Sequence, residues 1–511
     1  MNNAFPRGSY RLQPGIQLIS AADGGIVLQH NPLRAVKVNP AAFDVLTRTR
    51  QGFALPPEGL DANDRAAALL SFLDTFCQAD ILTWLPPAEP YEPFVSIIVP
   101  VYNRADEIAD CLESLLAIDY PAAKREIIVV DDASRDATVA VVRRYPVRLV
   151  IMPHNLGQSA ARNAAVRKAT GDVLAFIDSD CRAAGDWLKE LLPYFHDPRI
   201  GLVGGKVDAW DGGSLLDRYE QTHSALDMGA KLRIGATPYS DFYVPTCNML
   251  VRKEAYFAVG GLDERLRIGE DVDFCWKLKA KGLRGLYAPA GRVLHNHRNR
   301  LWDNLKRRYE YGTSEAMLYA RHGRVSKRFP WQAIGLLMLL LGFAAMLMHS
   351  WLLLGFAFAL PALESVYKKY RLWQTLRIRL SLASVLKAVL KSHFSLVYFL
   401  TYYGVRYYLA LIVVITLLWP VIWPMALFLA AFPAVVEFYR KRSPLILPLF
   451  LVFFWLEQLF YQIGAFRGCL SQGSFRLYKI DFVPCGFLRR NRVGLRQRLR
   501  FSLRRNRPAS A

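Results

Sequence analysis

The sequence predicts an α/β protein organised around a parallel sheet, with a small unit of strands and helices before it and a hydrophobic helical region behind it. Three observations carry this. From Val95 the strand-like runs VSIIVP, EIIVVD, VRLVI and VLAFID alternate with the helical patterns ADEIADCLESLLA, ATVAVVRRY and QSAARNAAVRKA, an alternation that requires right-handed βαβ crossovers. After Gly323 the chain turns strongly apolar. At 511 residues it is also too long for a single core.

The first unit covers residues 1–90 and closes with the Pro-rich linker LPPAEPYEP. Its strand-like pieces GIQLIS, GGIVLQH and LRAVKVN are followed by helical patterns over roughly Ala41–Thr49 and Asn63–Phe76. A β-hairpin with helices behind it satisfies this pattern. The alternating segment then occupies 93–323, the hydrophobic region 324–486 and an Arg-rich tail 487–511. MNNAFPRGSY lacks the apolar core of a signal peptide, which places the part before the hydrophobic region in the cytoplasm.

Charge separates the parts. Residues 1–323 carry 39 Lys+Arg and 39 Asp+Glu, whereas residues 324–511 carry 26 Lys+Arg and 4 acids, so the whole net charge of +22 lies in the last third. These basic residues flank apolar segments, which points to a membrane and away from nucleic acid. The segments are Ile334–Met348, Trp351–Ala362, Leu396–Leu418, Val421–Val436 and Leu445–Phe460. A spanning helix needs about 20 apolar residues, and only the third is comfortably long. With every basic connection cytoplasmic, the first four pair as two hairpins and the fifth is re-entrant or lies in the interface. The tail after Phe487 has nine arginines and no acid, a composition suited to an anionic leaflet. Seven cysteines stand singly without a CxxC pair, which argues for reduced thiols and against a zinc site or disulfide scaffold.

A dinucleotide enzyme would need GxGxxG after its first strand, and a P-loop enzyme GxxxxGK followed by Ser or Thr. Neither occurs. The acids stand out instead. Asp131 and Asp132 end the second strand of the alternating segment, Asp178 and Asp180 end the fourth in AFIDSD, and Glu270 and Asp271 open the amphipathic stretch EDVDFCWKLKAKG. Each pair alone also suits a turn or the first turn of a helix. Together they converge, because ligands bind beyond the carboxyl ends of parallel strands. A crevice rich in hard oxygen suits Mg²⁺ or Mn²⁺, and with it a diphosphate. His295, or else His297, could add a nitrogen ligand.

Six motifs stand in order over residues 94–300: VSIIVPVYNR, EIIVVDDASRDAT, NLGQSAARNAA, AFIDSD, CNMLVRKEAYFAVGGLDE and GEDVDFCWKLKAKG. This series resembles the family 2 glycosyltransferases with a GT-A fold. The resemblance implies inverting transfer from a nucleotide diphosphate sugar. It implies nucleotide-sugar contacts from Pro100, Tyr102, Asp132 and Arg162, with Asn103, Arg104 and Asp131 beside them and Asp178 toward the ribose or metal. It further implies Asp180 on the metal, where His295 or else His297 could join it, and Asp271 as the base beside Glu270. A cation and preorganised donors would stabilise charge on the departing diphosphate, and a positioned base contributes about 10² to 10⁴ in rate. A helix N-terminus lowers the pKa of an acid in its first turn, so burial or Glu270 must offset this at Asp271.

The first unit, with NPLRAVKVNPAAFDVL, is similar to the winged-helix-like PqqD-type peptide-recognition domains. An exposed strand can hold a peptide as an added strand, and a structural cap on the catalytic segment is the alternative. Such a unit, a family 2 segment and a membrane region ending near EQLFYQIGAFRGCL together resemble the glycosyltransferases of mycofactocin systems. That resemblance implies transfer of glucose from UDP-glucose to a peptide-derived mycofactocin precursor, building a short β-linked oligosaccharide at the cell membrane. A transferase acting on polyprenyl phosphate or an envelope polysaccharide is the alternative that the hydrophobic region supports. The Gln-x-x-Arg-Trp motif of processive synthases is absent, and Asn304-Leu-Lys-Arg-Arg-Tyr309 stands in its neighbourhood, which argues against a polymer-exporting synthase.

Overall fold

The computed structural model describes residues 6–30, 33–54, 64–210, 212–235, 242–296, 300–323 and 327–484. His297 and the Arg-rich tail 487–511 lie outside the described residues. Pro87–Phe329 and Val397–Phe482 form one compact unit, and Arg7–Pro86 and Pro330–Leu396 another.

In the latter unit, β2 (Ile16–Ala21), β3 (Gly24–His30) and β4 (Leu33–Val38) form an antiparallel meander, one strand more than the expected hairpin. Ile26, Leu28 and Ala35 of the meander pack with Leu372 and Ile378. A second small sheet joins β5 (Phe53–Ala54), β1 (Ser9–Leu12) and β6 (Leu82–Leu85); these pieces are too short and too far apart in the chain to show as a pattern. Helix α1 (Pro40–Arg48) starts where the Asn39 side chain accepts the Ala42 N–H at 2.8 Å with Pro40 at the first position. Helix α2 covers Asp64–Gln78.

The other unit is built on an eight-stranded sheet of order β14-β16-β12-β15-β10-β7-β8-β9. Strands β7 (Val95–Val101), β8 (Arg125–Asp131), β9 (Arg148–Ile151) and β10 (Val173–Phe176) are mutually parallel where they pair. All residues of β7 and β10 are buried, as expected of parallel strands covered on both faces. Helices α3 (Ile108–Leu116), α4 (Thr138–Val142) and α5 (Gln158–Val166) supply the crossovers.

The sheet as a whole is mixed, which corrects the parallel sheet expected. Strand β15 (Met249–Arg252) runs antiparallel to both β10 and β12 (Ile200–Gly204), and β14 (Arg233–Gly235) is antiparallel to β16 (Arg284–Tyr287). Strand β15 is entered directly from the short turn Thr246–Asn248, and an antiparallel pairing does not need the helical crossover that a parallel one does. A smaller sheet, β11 (Cys181–Ala183), β17 (Val293–His295) and β13 (Val207–Ala209), follows the end of β10 and places Cys181 opposite His295. Around these lie α6 (Trp187–Leu191), α7 (Leu215–His223), α8 (Lys253–Ala258), α9 (Glu270–Ala280) and α10 (Leu301–Arg321).

The apolar region folds as α11 (Ala333–Leu347), α12 (Trp351–Leu376), α13 (Leu382–Leu418), α14 (Trp423–Lys441) and α15 (Leu447–Gln472). By length and hydropathy α12 to α15 are each able to cross a membrane, and α11 is the shorter helix. The expectation that only Leu396–Leu418 is comfortably long enough is thereby corrected, and Leu445–Phe460 belongs to a helix that also has the length to span. The last helix runs on because its polar residues Glu457, Gln458 and Gln462 are buried, which lets the helix outlast its apolar run. It packs on α10 at close range: a Cβ on Gly464 would collide with the Tyr309 carbonyl, and one on Gly312 with the Tyr461 carbonyl. Small residues permit that approach.

Candidate active site

A cleft of ≈ 570 Å³ opens where β7, β8 and β10 end. Pro100, Tyr102, Arg104, Asp132, Asp178, Asp180, Glu270, Asp271 and His295 line it, whereas Asn103, Asp131 and Arg162 do not. The residues outside the lining hold those within it. Asn103, at φ 51°, accepts the Arg135 N–H at 2.8 Å and donates its own N–H to Ser134 Oγ at 2.9 Å. Asp131 is 1% exposed and accepts the Ser134 N–H at 2.9 Å. The loops after β7 and β8 are clasped together by these bonds. Asp132, beside them, accepts the N–H groups of Leu156 and Gly157, both at 2.8 Å, fixing the entry to α5.

Arg162 is fully buried on α5 and bridges two acids of the cleft. Its Nη2 donates to Asp178 Oδ1 at 2.5 Å and its Nη1 to Glu270 Oε1 at 3.1 Å, and Gln158 Nε2 donates to the same Glu270 oxygen at 2.8 Å. The residue expected to touch nucleotide thus sets Asp178 and Glu270 instead of facing the cleft. Arg104 reaches the other side, with Nη2 3.2 Å from Asp180 Oδ2.

Asp180 Oδ1 lies 3.6 Å from His295 Nε2. With Cys181 Sγ these atoms fall within 4.8 Å of one another, close enough to converge on one cation. The pairing of β11 with β17 creates this cluster by setting Cys181 against His295. Carboxylate and imidazole fit a divalent cation such as Mn²⁺, and the thiol is the softer third donor. Cys181 was not singled out from the sequence, where the only signal is its place directly after AFIDSD.

Asp271 enters from α9. Gly269 precedes the helix at φ 81°, and a Cβ there would collide with Ser314 Oγ, which itself donates to the Ile268 carbonyl at 2.9 Å. Glycine is therefore required at this turn. Asp271 is half-buried and accepts the N–H of Val272 at 2.8 Å. Burial, and after it the Glu270 carboxylate, pushes Asp271 up to about 7 despite its place at a helix N-terminus. Burial also raises Glu270. The cleft can thus hold a cation on one side and accept a proton on the other.

Helix α10 and Arg300 just before it add residues that sequence reasoning passed over. Arg300, Asn304, Arg307, Arg308 and Tyr311 line the cleft, and Arg308 and Asn304 both donate to Glu220 Oε1, at 2.6 and 2.7 Å. The only sequence signal was the run from Asn304 to Tyr309, noted for the motif it lacks.

Residues 96–259 match the family model described as Glycosyl transferase family 2. The chain is 34% identical over 305 residues to the pre-mycofactocin glycosyltransferase of Mycobacterium tuberculosis, covering 59% of this chain and 61% of the relative. It is 33% identical over 187 residues to glycosyltransferase AglE of Haloferax volcanii, covering 35% of this chain and 59% of the relative. The chain thus matches about three fifths of the length of either relative. A solved structure of the mannosyltransferase PcManGT from Pyrobaculum calidifontis, in complex with GDP-Man and Mn²⁺, has a TM-score of 0.38 at 22% identity, covering 64% of this chain and 95% of that one. The family match, with the mixed sheet and its strand-end acids, gives a GT-A-like glycosyltransferase fold, and residues 96–259 of this chain are a glycosyl transferase family 2 domain.

Proposed function

We propose that this protein is a membrane-attached, inverting glycosyltransferase that moves glucose from UDP-glucose onto a peptide-derived mycofactocin precursor and repeats the step into a short β-linked oligosaccharide. One observation carries the reading: Asp271, a half-buried acid raised toward neutrality, lines the same cleft as Asp178, Asp180 and His295. A base near the operating pH is the effective one. The match to the pre-mycofactocin glycosyltransferase supports the choice of acceptor.

In this reading Pro100, Tyr102, Arg104 and Asp132 hold the nucleotide, while Asn103 and Asp131 fix their loops. Arg162 orients Asp178, and Glu270 keeps Asp271 raised. Asp180 and His295 hold the divalent cation, and the imidazole favours Mn²⁺ over Mg²⁺. The cation supplies neutralisation of charge on the leaving diphosphate. Asp271 takes the proton as the acceptor hydroxyl attacks the anomeric carbon from the face opposite the diphosphate. The C–O bond to the diphosphate breaks as the glycosidic bond forms.

The remaining parts take the roles their composition suits. Residues 1–90 are the peptide-recognition domain of PqqD type, with β2 as an edge strand able to accept a peptide. Residues 93–323 are the transferase, and 324–486 attach it to the cell membrane with Trp351, Phe358 and Leu417 largely exposed. The catalytic part and the tail 487–511 face the cytoplasm. Four apolar helices favour a second reading, in which the acceptor is a polyprenyl phosphate or an envelope polysaccharide. Mass spectrometry of products from a panel of nucleotide sugars, with peptide-derived and polyprenyl phosphate acceptors, decides between them. Glucosylated lipid without any glucosylated peptide product would exclude the first acceptor.

A further inference from the structure

A second cavity, ≈ 730 Å³, adjoins the cleft and shares Asp271 with it. It is walled by tyrosines, with Tyr403 and Tyr407 at 4.8 Å between ring centres and Tyr407 and Tyr461 at 6.2 Å. Its charged side chains are almost all neutralised in pairs. Arg308 holds Glu220 and Glu457 at 2.6 and 3.6 Å, Lys327 holds Glu315 at 3.3 Å, Arg440 holds Glu437 at 2.7 Å, and Lys441 holds Asp227. Among the described residues, two charged lining residues lack an ion pair: Asp271 and Arg406.

Arg406 lies on the apolar helix α13. Its guanidinium sits 3.6 Å from the Tyr461 ring centre and makes one long bond, 3.4 Å, to Gln458 Oε1. A cation within an apolar helix is costly and marks a functional position, and a ring face and a neutral amide compensate it only in part. Glu315 and Glu457 act on it only from a distance, and among the described residues no carboxylate pairs with the guanidinium directly, which leaves that contact open to a ligand.

We propose that this chamber is the acceptor site and that it selects an anionic acceptor, whose carboxylate or phosphate pairs with Arg406 while its hydroxyl meets Asp271. The proposal rests on the reading of Asp271 as the base. The tyrosine walls exclude water from the pair and offer flat faces to a ring or sugar. Anionic selection also separates acceptor from bulk neutral sugars, which have no group for Arg406.

The test uses the full-length protein in nanodiscs and two probe pairs: N-acetyltyrosine against N-acetyltyrosinamide, and decaprenyl phosphate against decaprenol. Affinities are measured for the native protein, Arg406→Gln and Arg406→Lys. The native protein should prefer the anionic member of at least one pair by about tenfold or more, since hydrogen bonds to charged groups have that worth. Arg406→Gln should abolish that preference and Arg406→Lys should keep part of it. The pair that responds identifies the anion as carboxylate or lipid phosphate. No preference in either pair, or a preference that survives Arg406→Gln, overturns the proposal. UDP-glucose binding by the native protein is measured alongside. Its absence would defeat the transferase reading itself, whereas its presence without an anion preference defeats only this inference.

Discussion

Replacing Arg162 by methionine removes the one cation between Asp178 and Glu270. The guanidinium side chain is 0% exposed and that of Glu270 is 4% exposed, so the variant leaves a buried carboxylate without its counter-charge. Breaking such a pair costs about 3–5 kcal/mol. For a unit of this size about 2 °C accompanies each kcal/mol, so the melting temperature should fall by roughly 6–10 °C. Arg162 also helps to lower Asp271. Its loss should therefore move the acid limb of the pH–rate profile to higher pH. Thermal unfolding in nanodiscs and kcat/KM against pH measure the two effects. Arg162→Met with Glu270→Gln should recover much of the melting temperature, because Asp178 is 26% exposed and solvent can take its charge. An unchanged melting temperature in the single variant, with an unmoved acid limb, would refute the bridging role.

Other consequences can be checked separately. With the deprotonated form of Asp271 as the proposed base and its pKa raised to about 7, kcat/KM should rise with pH through that value and level above it; Glu270→Gln removes a raising charge and should shift the limb downward. His295→Ala should raise the Mn²⁺ concentration for half-activation by about tenfold or more, since loss of even an outer-shell partner costs 10–100-fold, and an unchanged Mn²⁺ titration would remove the histidine from the site. Gly269→Ala forces a side chain into positive φ against Ser314, costs about 1–3 kcal/mol and should lower kcat more than UDP-glucose affinity; equal activity would show that the turn can relax.

The part of the site on β7, β8 and β10 was legible because each strand is an apolar run ending in a signature: Pro100 to Arg104, Asp131-Asp132, and Asp178 to Asp180. Strand ends converge by topology, so spacing along the chain was enough. The direction of β15 was not legible, since Met249 to Val251 are fully buried and a buried apolar run reads alike in either sense. Arg162 was named as a nucleotide contact, and its bridge between Asp178 and Glu270 could not be foreseen, because that bridge depends on elements that meet only in the fold. The α10 residues and Arg406 were hidden for the same reason. Helices α10 and α15 are brought together through Gly312 and Gly464, and no local pattern announces which face of either lines a cavity. The length of α15 was missed because Gln462, just past Phe460, looks like the end of an apolar segment until its burial is seen.

The most direct test of inverting transfer with Asp271 as base is the anomeric configuration of the product made from α-linked UDP-glucose, read by proton NMR with the native protein and with Asp271→Asn. The native protein should give a β-linked product. The variant should form it at least about 10²-fold more slowly while still binding UDP-glucose. An α-linked product, or an undiminished rate in Asp271→Asn, would contradict the account.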